Sequence, residues 1–98
     1  MRISFSDSKL ERLATDRRYT HGLGPDLVKA FRKAVGYLNQ CTDERDIRAI
    51  PGYRFKRLSG DREHQWSMRL NDQFRLILEL RSDDQGKLIM LIEIVDYH

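Results

Sequence analysis

Apolar positions along the chain follow two periods, and the change between them divides the sequence into a helical first half and a strand-rich second half. Ile3 and Phe5 alternate with polar neighbours, which predicts a short opening strand. Leu10 and Leu13 follow at helical spacing. Ser6 or Asp7 can cap that helix, and Ser8 with Glu11 offers a capping-box spacing as a second start. Residues 17–24 show no period and read as a loop. From Pro25 to Gln40, Leu27, Val28, Phe31, Ala34, Val35 and Leu38 recur at three and four residues, the clearest amphipathic helix of the chain. Pro25 suits the first helical turn, where its missing N–H costs nothing, and Asp26 complements the helix dipole. Thr42 is placed to cap one last helical turn through Asp46. Pro51-Gly52 then closes the helical half.

Strand periodicity follows. Residues 53–58 are expected to form one strand, with Ser59-Gly60-Asp61-Arg62 as turn chemistry after it. Trp66, Met68 and Leu70 alternate with Ser67 and Arg69, and Phe74, Leu76, Leu78 and Leu80 alternate with Arg75, Ile77 and Glu79. Residues 82–86 read as a second turn. Leu88 to Val95 is almost wholly apolar, as in a central strand buried on both faces. Short connections predict a largely antiparallel sheet, hence an α+β fold. The register follows from burial. Trp66, Met68 and Leu70 must share a face with Phe74, Leu76 and Leu78, which pairs Leu70 with Phe74 and sets Arg69 opposite Arg75. Two like charges so placed repel by up to about 1 kcal/mol, unless a carboxylate screens them or an anion is their partner. Matching Leu80 to Leu88 places Arg75 beside Glu93 and brings Asp96, Tyr97 and His98 near Arg75.

Length and composition narrow the classes. The 98 residues suit one domain, residues 1–98, and 40% apolar residues suffice for a modest core. Eighteen Lys and Arg against 15 Asp and Glu leave a charge of +3, which permits an anionic partner without demanding one. A single cysteine, Cys41, rules out an internal disulfide and a closed Cys-based zinc site. It reads as a small apolar residue at a helix end. No apolar run approaches the ~20 residues that span a membrane. The opening residues lead straight into polar sequence without a signal-peptide core, so the expected address is the cytoplasm. No metal or other cofactor is expected. His21 and His64 fall in predicted loops, where solvated histidine is the simpler reading.

Two groups of residues carry candidate chemistry. Arg54, Lys56, Arg57, Arg62, Arg69 and Arg75 form a basic patch on the predicted sheet, with Tyr53, Trp66 and Tyr97 as aromatic neighbours. Cations and stacking surfaces suit single-stranded RNA, and strand cations also serve to keep an edge soluble; both readings stand at this point. The terminal Asp96-Tyr97-His98 is the second group. RNA is cleaved without metal when a base takes the 2′-hydroxyl proton, an acid protonates the leaving 5′-oxygen and cations hold the phosphate. His98 suits either proton task, arginine suits phosphate, Asp96 can orient its neighbours and Tyr97 can stack on a base. A chain end without a role is the alternative.

Pro51-Gly52-Tyr53-Arg54, Leu58-Ser59-Gly60-Asp61-Arg62, Trp66-Ser67, Phe74-Arg75 and the terminal Asp96-Tyr97-His98, taken in order, resemble the HigB branch of the RelE/ParE toxin superfamily over essentially the whole chain. The resemblance implies a RelE-like fold, with N-terminal helices packed on a mainly antiparallel curved sheet. It also implies a type II toxin that cleaves mRNA in the ribosomal A site without metal. The expected partners are the ribosome, mRNA and a cognate HigA-like helix-turn-helix antitoxin, with DNA reached only through the antitoxin complex and no membrane. By position, Arg75 matches the phosphate-contacting arginine, and Asp96, Tyr97 and His98 match the C-terminal catalytic set. Lys56 falls where some members carry histidine, and Ser59 where many carry lysine, so the general base is not assigned. A non-catalytic RNA- or ribosome-binding module and a ParE-like toxin acting on gyrase are the alternative functions, since fold alone does not choose the target.

Overall fold

The computed structural model describes residues 1–96. The chain begins as β1 (Arg2–Phe5) and turns into α1 (Ser8–Thr15). Asp7 is the cap of α1: its carboxylate accepts the Leu10 N–H at 2.9 Å, which decides between the starts legible in the sequence. A loop leads to α2 (Pro25–Gln40), whose bounds are those the apolar period predicts. Arg32 holds that loop against α2 by donating to the carbonyls of Leu13, Asp16 and Tyr19.

The third helix, α3 (Glu44–Arg48), starts one residue later than expected and continues past Asp46. Asp43, not Thr42, is its cap, in a reciprocal capping box with Asp46. Thr42 instead donates its N–H and hydroxyl to the Asp46 carboxylate at 2.8 and 2.9 Å. The longer strand expected over residues 53–58 shrinks to β2 (Lys56–Arg57). Pro51–Tyr53 form a 3-10 turn, and Arg54 takes a left-handed conformation (φ 44°, ψ 48°), so the backbone cannot extend there. A second 3-10 turn, Gly60–Arg62, follows. Then come β3 (Trp66–Arg69), β4 (Phe74–Asp83) and β5 (Gly86–Asp96). The β4–β5 loop is tighter than expected, with Asp83 paired to Gly86.

The five strands form one sheet in the order β1-β5-β4-β3-β2. Three neighbouring pairs are antiparallel and β1 runs parallel to β5. The sheet is therefore mixed, mostly antiparallel. The short-connection argument holds for the hairpins but not for β1 and β5, whose connection contains nearly the whole chain. Phe31, Ala34 and Leu38 of α2, Leu13 of α1 and Ile47 of α3 pack against Met68, Leu76, Leu78, Ile89 and Leu91 of the sheet. Cys41 is buried at the end of α2.

Alternation leaves the opposite face of the sheet to Lys56, Ser67, Arg69, Arg75, Ile77 and Glu79. In β3–β4 the register is the predicted one, Arg69 opposite Arg75, and the Leu70 N–H donates to the Phe74 carbonyl at 3.0 Å. In β4–β5 it is not. Leu80 pairs with Ile89, and a bulge between Ile77 and Leu78 shifts the pairing once more. Arg75 consequently lies opposite Val95, and Glu93 lies opposite Ile77. The turn length and the bulge add one residue each to the register that alternation predicts.

Candidate nucleic-acid interface

Arginines from three separate segments line one polar pocket of about 180 Å³: Arg54 after the 3-10 turn, Arg69 at the end of β3 and Arg75 on β4. Asn71, Asp72 and Gln73 of the intervening loop complete its wall. The loop is built by Asn71, whose side-chain oxygen accepts the N–H groups of Gln73 and Phe74 at 2.9 and 2.7 Å. Arg54 reaches the pocket from left-handed backbone, a conformation disfavoured for residues other than glycine by roughly 1–2 kcal/mol.

The pocket concentrates positive charge. Arg75 is buried on the sheet floor, only 8% exposed, and donates to Ser67 Oγ at 3.3 Å. Arg69 faces it across the ladder and is ion-paired to the exposed Asp72. Among the described residues that line the pocket, Asp72 is the one carboxylate. Three guanidiniums on one small lining suit an anion with several acceptor oxygens, of which a phosphate diester is the matching biological form. Asp96 lies outside that lining, opposite Phe74 on the ladder, and its carboxylate accepts from Gln73 Nε2 of the pocket wall at 3.0 Å.

Of the residues proposed from sequence, Arg54, Arg69 and Arg75 come together here, and Asp96 adjoins them through Gln73. Lys56 lies one row along the same face, paired to the Ser67 that bonds Arg75. Arg57 does not join them. It pairs with Trp66, a core-facing residue, and its Nε donates to the Glu63 carbonyl at 2.6 Å. Arg62 is also held apart, bonded to Glu93 at 2.8 Å and to Gln65 at 3.2 Å. Tyr97 and His98 lie outside the described residues.

A neighbouring carboxylate went unread in the sequence. Glu79 is buried on this face and accepts from Gln65 at 3.0 Å and from Arg81 at 2.8 Å, with His64 at 3.5 Å. Burial alone would raise its pKa, but the Gln65 and Arg81 hydrogen bonds and the Arg81 charge outweigh it and hold the carboxyl below its ordinary value. The sequence signal was slight: Glu79 shares the Arg75 face of a central strand, and alternation gave no sign that Gln65 and Arg81 would cover it there. Among the described residues no three His, Cys, Asp or Glu side chains gather as a metal site, and no helix is long and apolar enough to cross a membrane.

The fold is that of known toxins. The YoeB/ParE toxin from Agrobacterium tumefaciens superimposes with a TM-score of 0.61 at 15% identity, over 100% of both chains. A chain of the YoeB-YefM complex from Staphylococcus aureus gives 0.60 at 18% identity, over 100% of this chain and 97% of that one. A chain of the toxin-antitoxin complex RelBE2 from Mycobacterium tuberculosis gives 0.51 at 17% identity, over 98% and 96%. In sequence, Toxin HigB-1 of Vibrio cholerae serotype O1 (strain ATCC 39315 / El Tor Inaba N16961) is 30% identical over 79 residues, 81% of this chain and 83% of that protein. Residues 3–98 match the family model of the RelE-like toxin of type II toxin-antitoxin system HigB. A match of that length, with the ordered arginines on the sheet and the shared fold, places the chain in the HigB-like family of RelE-like toxins of type II toxin–antitoxin systems.

Proposed function

We propose that this toxin is a ribosome-dependent endoribonuclease that cleaves mRNA in the A site and so stops translation. The observation that carries the reading is the convergence of Arg54, Arg69 and Arg75 on one pocket beside Asp96, the residue that leads into Tyr97 and His98. In the proposed reaction the 2′-oxygen attacks the adjacent phosphorus and the 5′-oxygen leaves. The products are a 2′,3′-cyclic phosphate and a 5′-hydroxyl. Arg75, supported by Arg54, Arg69 and Lys56, offsets the charge that builds on the phosphoryl oxygens. His98 gives or takes a proton, Asp96 orients it, and Tyr97 stacks on a base. No step requires a metal or another cofactor. Few proton-transfer groups suffice if the ribosome positions the RNA, since positioning itself lowers the barrier.

Arg57 and Arg62 border the face outside the arginine pocket and serve binding to the ribosome rather than chemistry. A cognate helix-turn-helix antitoxin of the HigA kind is the proposed neutralising partner, and operator DNA is reached only through it. The presence of similar folds in toxin–antitoxin complexes supports a proteinaceous antitoxin. The cytoplasm, where ribosomes and mRNA meet, is the proposed site of action.

Mapping of mRNA 5′ ends in a reconstituted translation reaction tests the reading. The wild-type protein is expected to create new ends within A-site codons. They should require ribosomes, survive EDTA added to preformed complexes and disappear with His98→Ala. Tight ribosome binding with intact mRNA would instead select a binding module. Intact mRNA with DNA breaks in expressing cells would select gyrase.

A further inference from the structure

The arginine pocket does not end at the arginines. Arg69 also lines a second, wider groove of about 720 Å³ between α2 and the 3-10 turn. Two chain segments pass from one to the other: Tyr53 borders the groove and Arg54 the pocket, Leu70 the groove and Asn71 the pocket. The two depressions are therefore adjacent stretches of one surface. From α2 the groove receives Lys33, Gly36 and Gln40, and from the turn Gly52 and Tyr53. Among the described residues no carboxylate lines it; Lys33 supplies positive charge, and Arg69 reaches it while ion-paired to Asp72.

Gly36 lies within α2, where glycine weakens a helix relative to alanine. Nothing among the described residues demands it. A Cβ at Gly36 or at Gly52 would meet nothing within 4 Å, and neither residue has the positive φ that favours glycine. Both glycines keep the groove open to a flat group. Tyr53 offers an aromatic face, Gln40 offers amide donors and an acceptor, and the cations meet a backbone on either side.

We propose that this groove is a nucleobase subsite. It takes the base of the RNA residue next to the one whose phosphate occupies the arginine pocket, and Lys33 meets the following phosphate. The proposal rests on the RNA reading above and adds to it a determinant of sequence preference that lies on the helix side of the molecule. An acidic, amphipathic protein segment is the competing occupant. Continuity with the arginine pocket through Arg69 and Arg54 favours RNA.

The test uses a 2′-O-methyl trinucleotide, which cannot be cleaved, titrated into the isotope-labelled full-length protein and followed by backbone amide shifts. The Gly36 and Gly52 amides are expected to shift together with Arg54 and Arg69. Gly36→Leu, which fills the groove, should weaken binding on the order of tenfold, the scale of one lost base contact. Lys33→Ala leaves the helix backbone untouched and should weaken it severalfold, so the result does not depend on how Gly36→Leu folds. Shifts confined to the arginines, or no shifts, would overturn the proposal. So would groove shifts with an acidic peptide but not with the trinucleotide, which would assign the surface to a protein partner. The binding experiment stays readable if wild-type protein leaves ribosomal mRNA intact, because that outcome removes the nuclease reading and not the subsite.

Discussion

Arg75 shows how one residue acquires a role from its neighbours. A buried guanidinium is expensive to desolvate, and a second arginine directly opposite makes its position worse. Asp72 offsets the Arg69 charge and Ser67 accepts from Arg75, and the pair presents guanidinium donors to the pocket. The pairing itself was legible in the sequence, because the apolar sets of the two strands must share a face and the three-residue loop 71–73 then pairs Leu70 with Phe74. The third arginine was legible only as a neighbour in sequence. Arg54 reaches the pocket through a left-handed turn that follows from how Pro51–Tyr53 packs, which no local period encodes. Cys41 is the contrasting case, a chemically capable group made inert by its place. Burial first, and then the Asp46 carboxylate, push its thiol above the ordinary value. Iodoacetamide at pH 7 is therefore expected to label Cys41 far more slowly in native protein than in urea. Equal rates would show that the thiol is accessible and the end of α2 loosely packed.

At the scale of elements, α2 was readable to its ends and the strands were not. The helix carries a 3.6-residue period over four turns and a proline at its start, signals that tertiary contacts do not need to complete. The expected strand over residues 53–58 lost most of its length because strand propensity yields to the proline turn and to Phe55, which stacks on Trp66 at 4.6 Å. The bulge in β4–β5 had no signature, since Leu88 to Val95 is apolar on both faces and any register keeps it so. Two substitutions test the helical layer. Asp7→Ala removes the cap of α1 and should cost about 1 kcal/mol in urea unfolding. Phe31→Ala empties the centre of the core and should cost about 3–5 kcal/mol. A Phe31 loss no larger than that of Asp7→Ala would contradict the packing of α2 on the sheet.

Across the whole molecule, acidic groups fasten both local turns and segments distant in sequence. Asp83 ties the β4–β5 turn to Arg2 of β1, Glu79 gathers Arg81, Gln65 and His64, and Asp43 and Asp46 hold the start of α3. Arg2 holds the Asp83 carboxyl below its ordinary value, Arg45 does the same for Asp43, and the Thr42 N–H and hydroxyl for Asp46. Glu79 is lowered too, against its burial. A carboxyl depressed on folding contributes stability that is complete above its unfolded value, about pH 4, and is lost as pH falls through the folded value. The urea midpoint should therefore fall steeply below about pH 4, and less steeply in Glu79→Gln. Parallel acid limbs would exclude Glu79 from that network. The parallel β1–β5 pair belongs to this scale as well: it depends on the two ends of the chain meeting, which hydrophobic alternation cannot predict. So does function, because the arginine pocket forms only when three segments are assembled. The most direct test is the single-turnover cleavage rate of mRNA on preformed ribosome complexes, for Arg54→Ala, Arg69→Ala and Arg75→Ala beside Arg17→Ala, an exposed arginine outside the pocket. The account predicts a loss on the order of a hundredfold or more for Arg75→Ala, smaller losses for the other two pocket variants and none for Arg17→Ala. Cleavage by folded Arg75→Ala at the wild-type rate would contradict it.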